Sequence, residues 1–182
     1  MKQLLILSGK GGTGKTTVAG VFAALASDKV LADCDVDAAD LHLLLAPEKM
    51  ETHDFDALPG APIDPALCTG CGTCASVCPF GAAVFGTDGK YTIAPYLCEG
   101  CRICVSACPS DAISLVERVA GQWFISKTRF GPLVHARLKP GEENSGMLVA
   151  KVRQAATHKA EQEGYDLVIV DGPPGIGCPV IS

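Results

Sequence analysis

The sequence predicts an α/β fold, a parallel sheet with helices that is interrupted by an inserted α+β module. Two observations carry this reading. Strand–loop–helix alternation occupies both ends of the 182-residue chain. Between them lies a cysteine-rich internal repeat, approached through a stretch of prolines and small residues.

The elements follow in chain order. Gln3 to Leu7 reads as a short buried strand, then a glycine-rich loop, then a helix from about Lys15 to Ser27. Val30 to Asp33 is a second short strand with an acidic end, Asp33-Cys34-Asp35-Val36-Asp37. Asp37 to Leu45 has helical apolar spacing and stops before Pro47. From about Ala57 to Pro65 the composition is that of a linker. Ile63 to Leu115 holds the repeat, with Ala82–Phe85 and Ala112–Leu115 as matching strands. Trp123–Ser126 and Leu133–Arg137 are strands around a Gly131-Pro132 turn. Pro140 to Gly146 is a loop, and Met147 to Glu163 is the longest helical pattern, ended by Gly164. Asp166 to Asp171 is a buried strand ending in an acid. The domains expected are therefore 1–60 and 117–182 for the two parts of the sheet, with 61–116 inserted.

Composition bounds the function. Apolar residues make up 48% of the chain, ample for a core. A net charge of −5 with no basic face argues against nucleic acid as a partner. The opening Met1-Lys2-Gln3-Leu4-Leu5-Ile6-Leu7 has too short an apolar run for an export signal, and no stretch of about 18 apolar residues suggests a membrane span. Of ten cysteines, eight lie in two regularly spaced runs, and with no export signal these favour metal ligation in a reducing cytoplasm over disulfides.

Gly9-Lys10-Gly11-Gly12-Thr13-Gly14-Lys15-Thr16 satisfies the eight-residue phosphate-binding loop pattern, after a strand and before a helix. Its glycines let backbone N–H groups turn toward phosphate oxygens, helped by the helix N-terminus. Lys15 is expected to reach the β- and γ-phosphates of ATP, and the Thr16 hydroxyl to coordinate Mg²⁺, with Thr17 beside them. The apolar strand ending in Asp171 is a Walker B arrangement that brings a carboxylate near Mg²⁺. Asp33, Asp35, Asp37 and Asp40 form the acidic segment between.

Two cysteine runs share one spacing, Cys68-x₂-Cys71-x₂-Cys74-x₃-Cys78-Pro79 and Cys98-x₂-Cys101-x₂-Cys104-x₃-Cys108-Pro109. Zinc is satisfied by pairs of Cys-x₂-Cys and needs no third cysteine two residues on, and disulfides need no such repeat. Gly70, Gly72 and Gly100 fit close backbone approach. Two oxidised four-iron clusters would take the charge from −5 to roughly −9. Of the remaining cysteines, Cys34 reads as a small buried hydrophobe and Cys178 as a packed thiol. None of His42, His53, His135 and His158 has a metal-ligand partner at useful spacing, and Lys151, Arg153 and Lys159 read as a solvated helix face.

The cysteine runs resemble bacterial two-cluster ferredoxins. That resemblance implies crossed ligation, with Cys68, Cys71, Cys74 and Cys108 on one [4Fe–4S] cluster and Cys98, Cys101, Cys104 and Cys78 on the other. Lys10 to Thr17 resembles the deviant Walker A motif of the MinD/Mrp/nitrogenase iron-protein superfamily of P-loop ATPases. That resemblance implies that Lys10 acts across a dimer on the partner's nucleotide, that Asp35 orients the attacking water, and that Gly172 to Gly175 belongs to a second switch. It further implies a homodimer, or a heterodimer with a similar ATPase, together with a redox partner protein. Relatives continue well past the Walker B strand, whereas this sequence stops eleven residues after Asp171, so a fragment is expected. The function implied is nucleotide-dependent dimer switching coupled to electron transfer through the clusters. The alternatives are a cluster carrier of the Mrp type, in which Cys178 ligates a bridging cluster, and a MinD-like positioning ATPase with structural clusters.

Overall fold

The computed structural model describes residues 1–56, 58–140 and 145–175. The chain divides into two compact units, Met1–Phe55 with Ala120–Ser182, and Asp56–Val119. In order, the elements are β1 (Lys2–Ser8), α1 (Lys15–Leu25), β2 (Lys29–Asp33), α2 (Leu41–Leu45), β3 (Glu48–Asp56), α3 (Thr73–Val77), β4 (Ala83–Phe85), β5 (Tyr91–Ile93), α4 (Ile103–Ala107), β6 (Val119–Thr128), β7 (Gly131–Leu138), α5 (Ser145–Glu163) and β8 (Leu167–Pro174).

The larger unit is built on a six-stranded sheet of order β1-β8-β2-β7-β6-β3. β2 is buried at every position, as a central parallel strand covered on both faces must be. Leu31, Leu133 and Ile169 point to one face, where Ala19 and Ala23 of α1 and Leu41 and Leu45 of α2 close the core. Val30, Ala32, Val168 and Val170 alternate to the other face, where α5 packs through Leu148, Val149, Val152 and Ala156.

The sheet is mixed, which corrects the all-parallel expectation. β1, β8, β2 and β7 run parallel, whereas β6 and β7 form an antiparallel hairpin from Gly121↔Leu138 to Thr128↔Gly131. A two-residue connection leaves no room for the crossover that parallel strands need. The Thr128 hydroxyl closes the turn, donating to the Gly131 carbonyl at 2.7 Å and accepting from Phe130 N–H at 3.1 Å.

Two further expectations change. The helix expected over Asp37–Leu45 is confined to Leu41–Leu45, because Asp33 Oδ2 accepts the Leu41 N–H at 3.1 Å and Ala38 N–H donates to the Asp35 carbonyl in a turn. β3 was not foreseen at all. Its sequence Glu-Lys-Met-Glu-Thr-His-Asp-Phe-Asp buries only Phe55, so the apolar alternation of a strand is missing. Charged residues suit an edge position, and His53 stacked on Trp123 at 4.0 Å, with Gln122 donating to Asp54 at 3.0 Å, ties it to β6.

The smaller unit repeats its backbone from one cysteine run to the next. Gly70 and Gly100, Gly72 and Arg102, and Gly81 and Asp111 are corresponding pairs that all have positive φ. Gly100 cannot carry a Cβ, which would lie 2.6 Å from Leu58 Cβ and 2.8 Å from the Pro59 carbonyl. The expected strand at Ala112–Leu115 does not form. β4 finds a full partner in β5, but the corresponding segment makes only the isolated bridges Ile63↔Ile113 and Gly60↔Val116. Among the described residues, no helix is long and apolar enough to cross a membrane.

His135 of β7 is buried, lies 2.9 Å from the Ser126 hydroxyl, and stacks on His42 at 5.9 Å. Burial first, then His42 and Lys49, push its imidazole down from 6.5 to about 4. A depressed histidine contributes stability that is present above pH 6.5 and is lost as pH falls through 4. Between pH 7 and pH 4.5 the urea midpoint of the parent protein therefore falls relative to that of a His135→Gln variant, which shares every other titrating group.

Candidate phosphate loop and cysteine cradles

The glycine-rich loop follows β1 and opens α1, whose N-cap, Gly14, has φ 87°. A Cβ placed on Gly9, Gly11, Gly12 or Gly14 would meet nothing within 4 Å. The loop thus borders open volume, a cleft of about 320 Å³ lined by Ser8, Gly11–Thr17, Asp35, Ala38, Asp40 and Pro174. Ser8 Oγ donates to the Lys10 carbonyl at 2.9 Å, and the Lys10 side chain is exposed.

Lys15 does not point freely into the cleft. Its ammonium lies 2.9 Å from Asp171 Oδ1 and 3.2 Å from Asp35 Oδ2, so loop, β2 end and β8 end meet on one buried cation. Burial works to lower the Lys15 ammonium, but the Asp171 and Asp35 carboxylates together outweigh it and leave it above its usual range. Asp35 is raised by burial against the pull of Lys15. Asp33 sits opposite Asp171 in the β2–β8 register and is pushed up to about 7, by burial first and then by the Asp171 charge. Its oxygens accept the Asp35 and Leu41 N–H groups, so it fixes the acidic segment from behind. Asp171 Oδ2 is buried without a hydrogen-bond partner among the described residues. An open glycine cradle, a lysine and an orphaned carboxylate oxygen together fit a polyphosphate with its cation. Cys34 is buried beside them, its thiol pushed up to about 12 by burial and the neighbouring acids.

In the smaller unit, Cys68, Cys71, Cys74 and Cys108 line one pocket, walled by Ile63, Tyr91 and Ile113. Cys108 therefore stands with the first run and not its own. The second group mirrors it: the Cys104 thiol is raised by burial and then by Cys98, Cys101 and Cys78. Cys78 and Cys108 also occupy matching positions, accepting the Ala82 and Ala112 N–H groups at 3.4 and 3.3 Å. Thiolates in this number and spacing, four of them on one apolar-walled pocket and a second four influencing one another, are the donors a pair of cubane clusters takes. Gly70 and Gly100 owe their lack of a side chain to close backbone neighbours, the carbonyls of Gly89 and Pro59.

Residues 61–84 and 91–114 both match the 4Fe–4S binding domain family. The chain carries a 4Fe–4S ferredoxin domain of two repeats. The two motifs support two [4Fe–4S] clusters. An uncharacterised protein of Methanocaldococcus jannaschii is similar to 99% of this chain, at 36% identity over 184 aligned residues. The chain spans 62% of that relative's length.

Sequence reasoning missed Tyr91, which covers the first cavity and packs on Phe85 at 5.0 Å, and which Gly72 must remain small to admit. It left open Asp33, whose role depends on a backbone hydrogen bond eight residues on. Cys178 lies outside the described residues.

Removing the Lys15 charge strands two acids. A Lys15→Gln substitution is expected to cost on the order of 3 kcal/mol in stability, and Asp35→Asn in the same background recovers part of it, as chemical denaturation will measure.

Proposed function

We propose that this protein is a P-loop ATPase that couples nucleotide-dependent switching to electron transfer through two [4Fe–4S] clusters. The observation that carries this reading is the buried Lys15 ammonium held by Asp35 and Asp171 at the floor of a glycine cleft, in a chain that also carries a two-repeat cluster domain.

In this reading Gly9, Gly11, Gly12, Thr13 and Gly14 offer N–H groups to the phosphates of ATP, Lys15 neutralises them, and Thr16 and Thr17 lie at the Mg²⁺ end. Asp171 supports Mg²⁺ through its free oxygen. Asp35 orients the attacking water. An incoming phosphate competes with the carboxylates for Lys15, so nucleotide releases the Asp35 segment from its tether. That is the physical basis of a switch. Lys10, exposed at the cleft mouth, stabilises charge on the partner's nucleotide in a homodimer or a heterodimer with a similar ATPase.

Cys68, Cys71, Cys74 and Cys108 would hold one cluster, and Cys98, Cys101, Cys104 and Cys78 the other. Four protein thiolates per cluster would leave no ligand position for a substrate, and the chemistry such clusters would supply is one-electron relay. A separate redox protein in the cytoplasm supplies or takes the electrons.

Two measurements test these assignments. Bound iron should be about eight per chain and fall toward about four in Cys108→Ser. Adding Cys68→Ser costs no further iron, because both strip the same cluster, whereas adding Cys98→Ser strips the second. Equal losses in both double variants would refute crossed ligation. For the nucleotide, calorimetry should detect MgADP binding that survives Lys10→Gln within about twofold, while ATP turnover falls on the order of 10³-fold. Failure of the parent protein to bind MgADP would remove the ATPase reading and leave the iron–sulfur protein.

A further inference from the structure

The larger unit holds a second cleft that the cluster and nucleotide assignments do not use. It measures about 630 Å³ and lies between the Val36–Leu43 segment and strands β3, β6 and β7. Three cations line it: Lys49 from β3, Arg137 from β7, and Lys139 immediately after β7. Among the described residues none of the three has a carboxylate within ion-pair distance. Lys49 is held in place, its ammonium 3.9 Å over the Phe124 ring. Asp37 and Asp40 are the acids on the opposite wall, so cations exceed anions.

The floor is aromatic and polar together. His135 stacks on His42 and tilts against Phe124 at 5.0 Å. His135 has its Nε2 engaged by Ser126. His42 Nδ1, by contrast, is buried with no hydrogen-bond partner among the described residues. A buried ring nitrogen without a partner costs stability unless something else supplies one. Val36, Leu43 and Leu138 add apolar wall. A cleft lined by three cations, two stacked imidazole rings and an apolar side has the features of a small-ligand pocket.

Ala38 and Asp40 line this cleft and the glycine-loop cleft alike. The two volumes share one wall, and that wall is tethered by Asp33 and by the Lys15–Asp35 pair.

We propose that this cleft binds a small organic anion, a carboxylate or phosphate carried on an apolar body, and that its occupancy is coupled to that of the glycine loop through residues 36–40. Lys49, Arg137 and Lys139 hold the anionic group, and Phe124 and Leu138 bear the carbon body beside the His42 and His135 rings. The coupling, though not the pocket, rests on the nucleotide reading above. Linkage makes it reciprocal: an anion that reorders the shared wall alters nucleotide affinity, and nucleotide alters anion affinity by the same factor.

The test uses the full chain with its clusters, following the His42 and His135 imidazole signals by ¹H–¹³C NMR. The probes are benzoate and phenyl phosphate, with benzyl alcohol as the uncharged control. The proposal predicts saturable shifts of both histidines with at least one anion and none with the alcohol. The anion that binds more tightly identifies carboxylate or phosphate as the preferred group. An Arg137→Gln/Lys139→Gln variant, altered only at exposed side chains, should bind at least tenfold more weakly. Histidines unmoved by either anion, shifts equal for the alcohol, or unchanged affinity in the variant would overturn the site. With the better anion saturating, the MgADP dissociation constant should change at least threefold. An unchanged constant overturns the coupling alone. Absence of any MgADP binding overturns the nucleotide reading and the coupling with it, while the histidine signals still decide the anion site.

Discussion

One buried ammonium answers for the acids at the centre of the larger unit. Lys15 lies within 3.2 Å of Asp35 and 2.9 Å of Asp171, and Asp33 stands across the strand pair from Asp171 with only backbone N–H groups as partners. Three carboxylates and one cation in a water-poor site cannot all be charged cheaply, which is why Asp33 is pushed up to about 7. The parallel register of β2 and β8 forces this crowding, since it sets Asp33 directly opposite Asp171. Ligands in open α/β sheets gather outside the carboxyl ends of the strands for the same geometric reason. The acidic segment between β2 and α2 is held at one end by Lys15 and at the other by Asp33. A change in either tether therefore moves a wall common to two clefts.

The smaller unit solves a different problem. Its core is thin, with Ala61, Cys74, Ala82, Cys104, Ala112 and Ile113 as the buried apolar members among the described residues. A unit of this size has little apolar area to bury, so metal clusters add to its stability as well as its chemistry. The backbone achieves crossed thiol sets by repeating one design: a positive-φ residue before each short helix, a cysteine at its end, and an amide donated back to that sulfur. The two halves differ where side chains meet the clusters' surroundings. Tyr91 opens the second repeat and closes over the first cavity, whereas Ala61 opens the first repeat at the equivalent position. Two clusters in unlike surroundings have unlike potentials.

Much of this was legible from residue spacing. The glycine loop announces itself because only glycine tolerates the backbone it needs, and Gly14 at φ 87° shows the requirement directly. The buried strands β2 and β8 are continuous apolar runs, and α5 has a long helical period, so each is visible without tertiary information. β3 was invisible because an edge strand made of Glu, Lys, His and Asp has no apolar pattern, and its hold on β6 comes from His53 and Trp123, which lie far apart in the chain. The helix before Leu45 was overdrawn because the Asp33 carboxylate captures the Leu41 amide, a tertiary bond that periodicity cannot register. The second cleft escaped notice for a similar reason: His42 and His135 have no meaningful spacing in sequence, and only the sheet brings their rings together.

The central claim is that phosphate and redox chemistry act on each other within one chain. Low-temperature EPR of anaerobically prepared, dithionite-reduced protein, recorded with and without MgATP, tests it directly. The account predicts two magnetically interacting reduced clusters whose signals change when MgATP binds. Spectra that superimpose at saturating MgATP would contradict it, and the two units would then share a polypeptide without sharing a function.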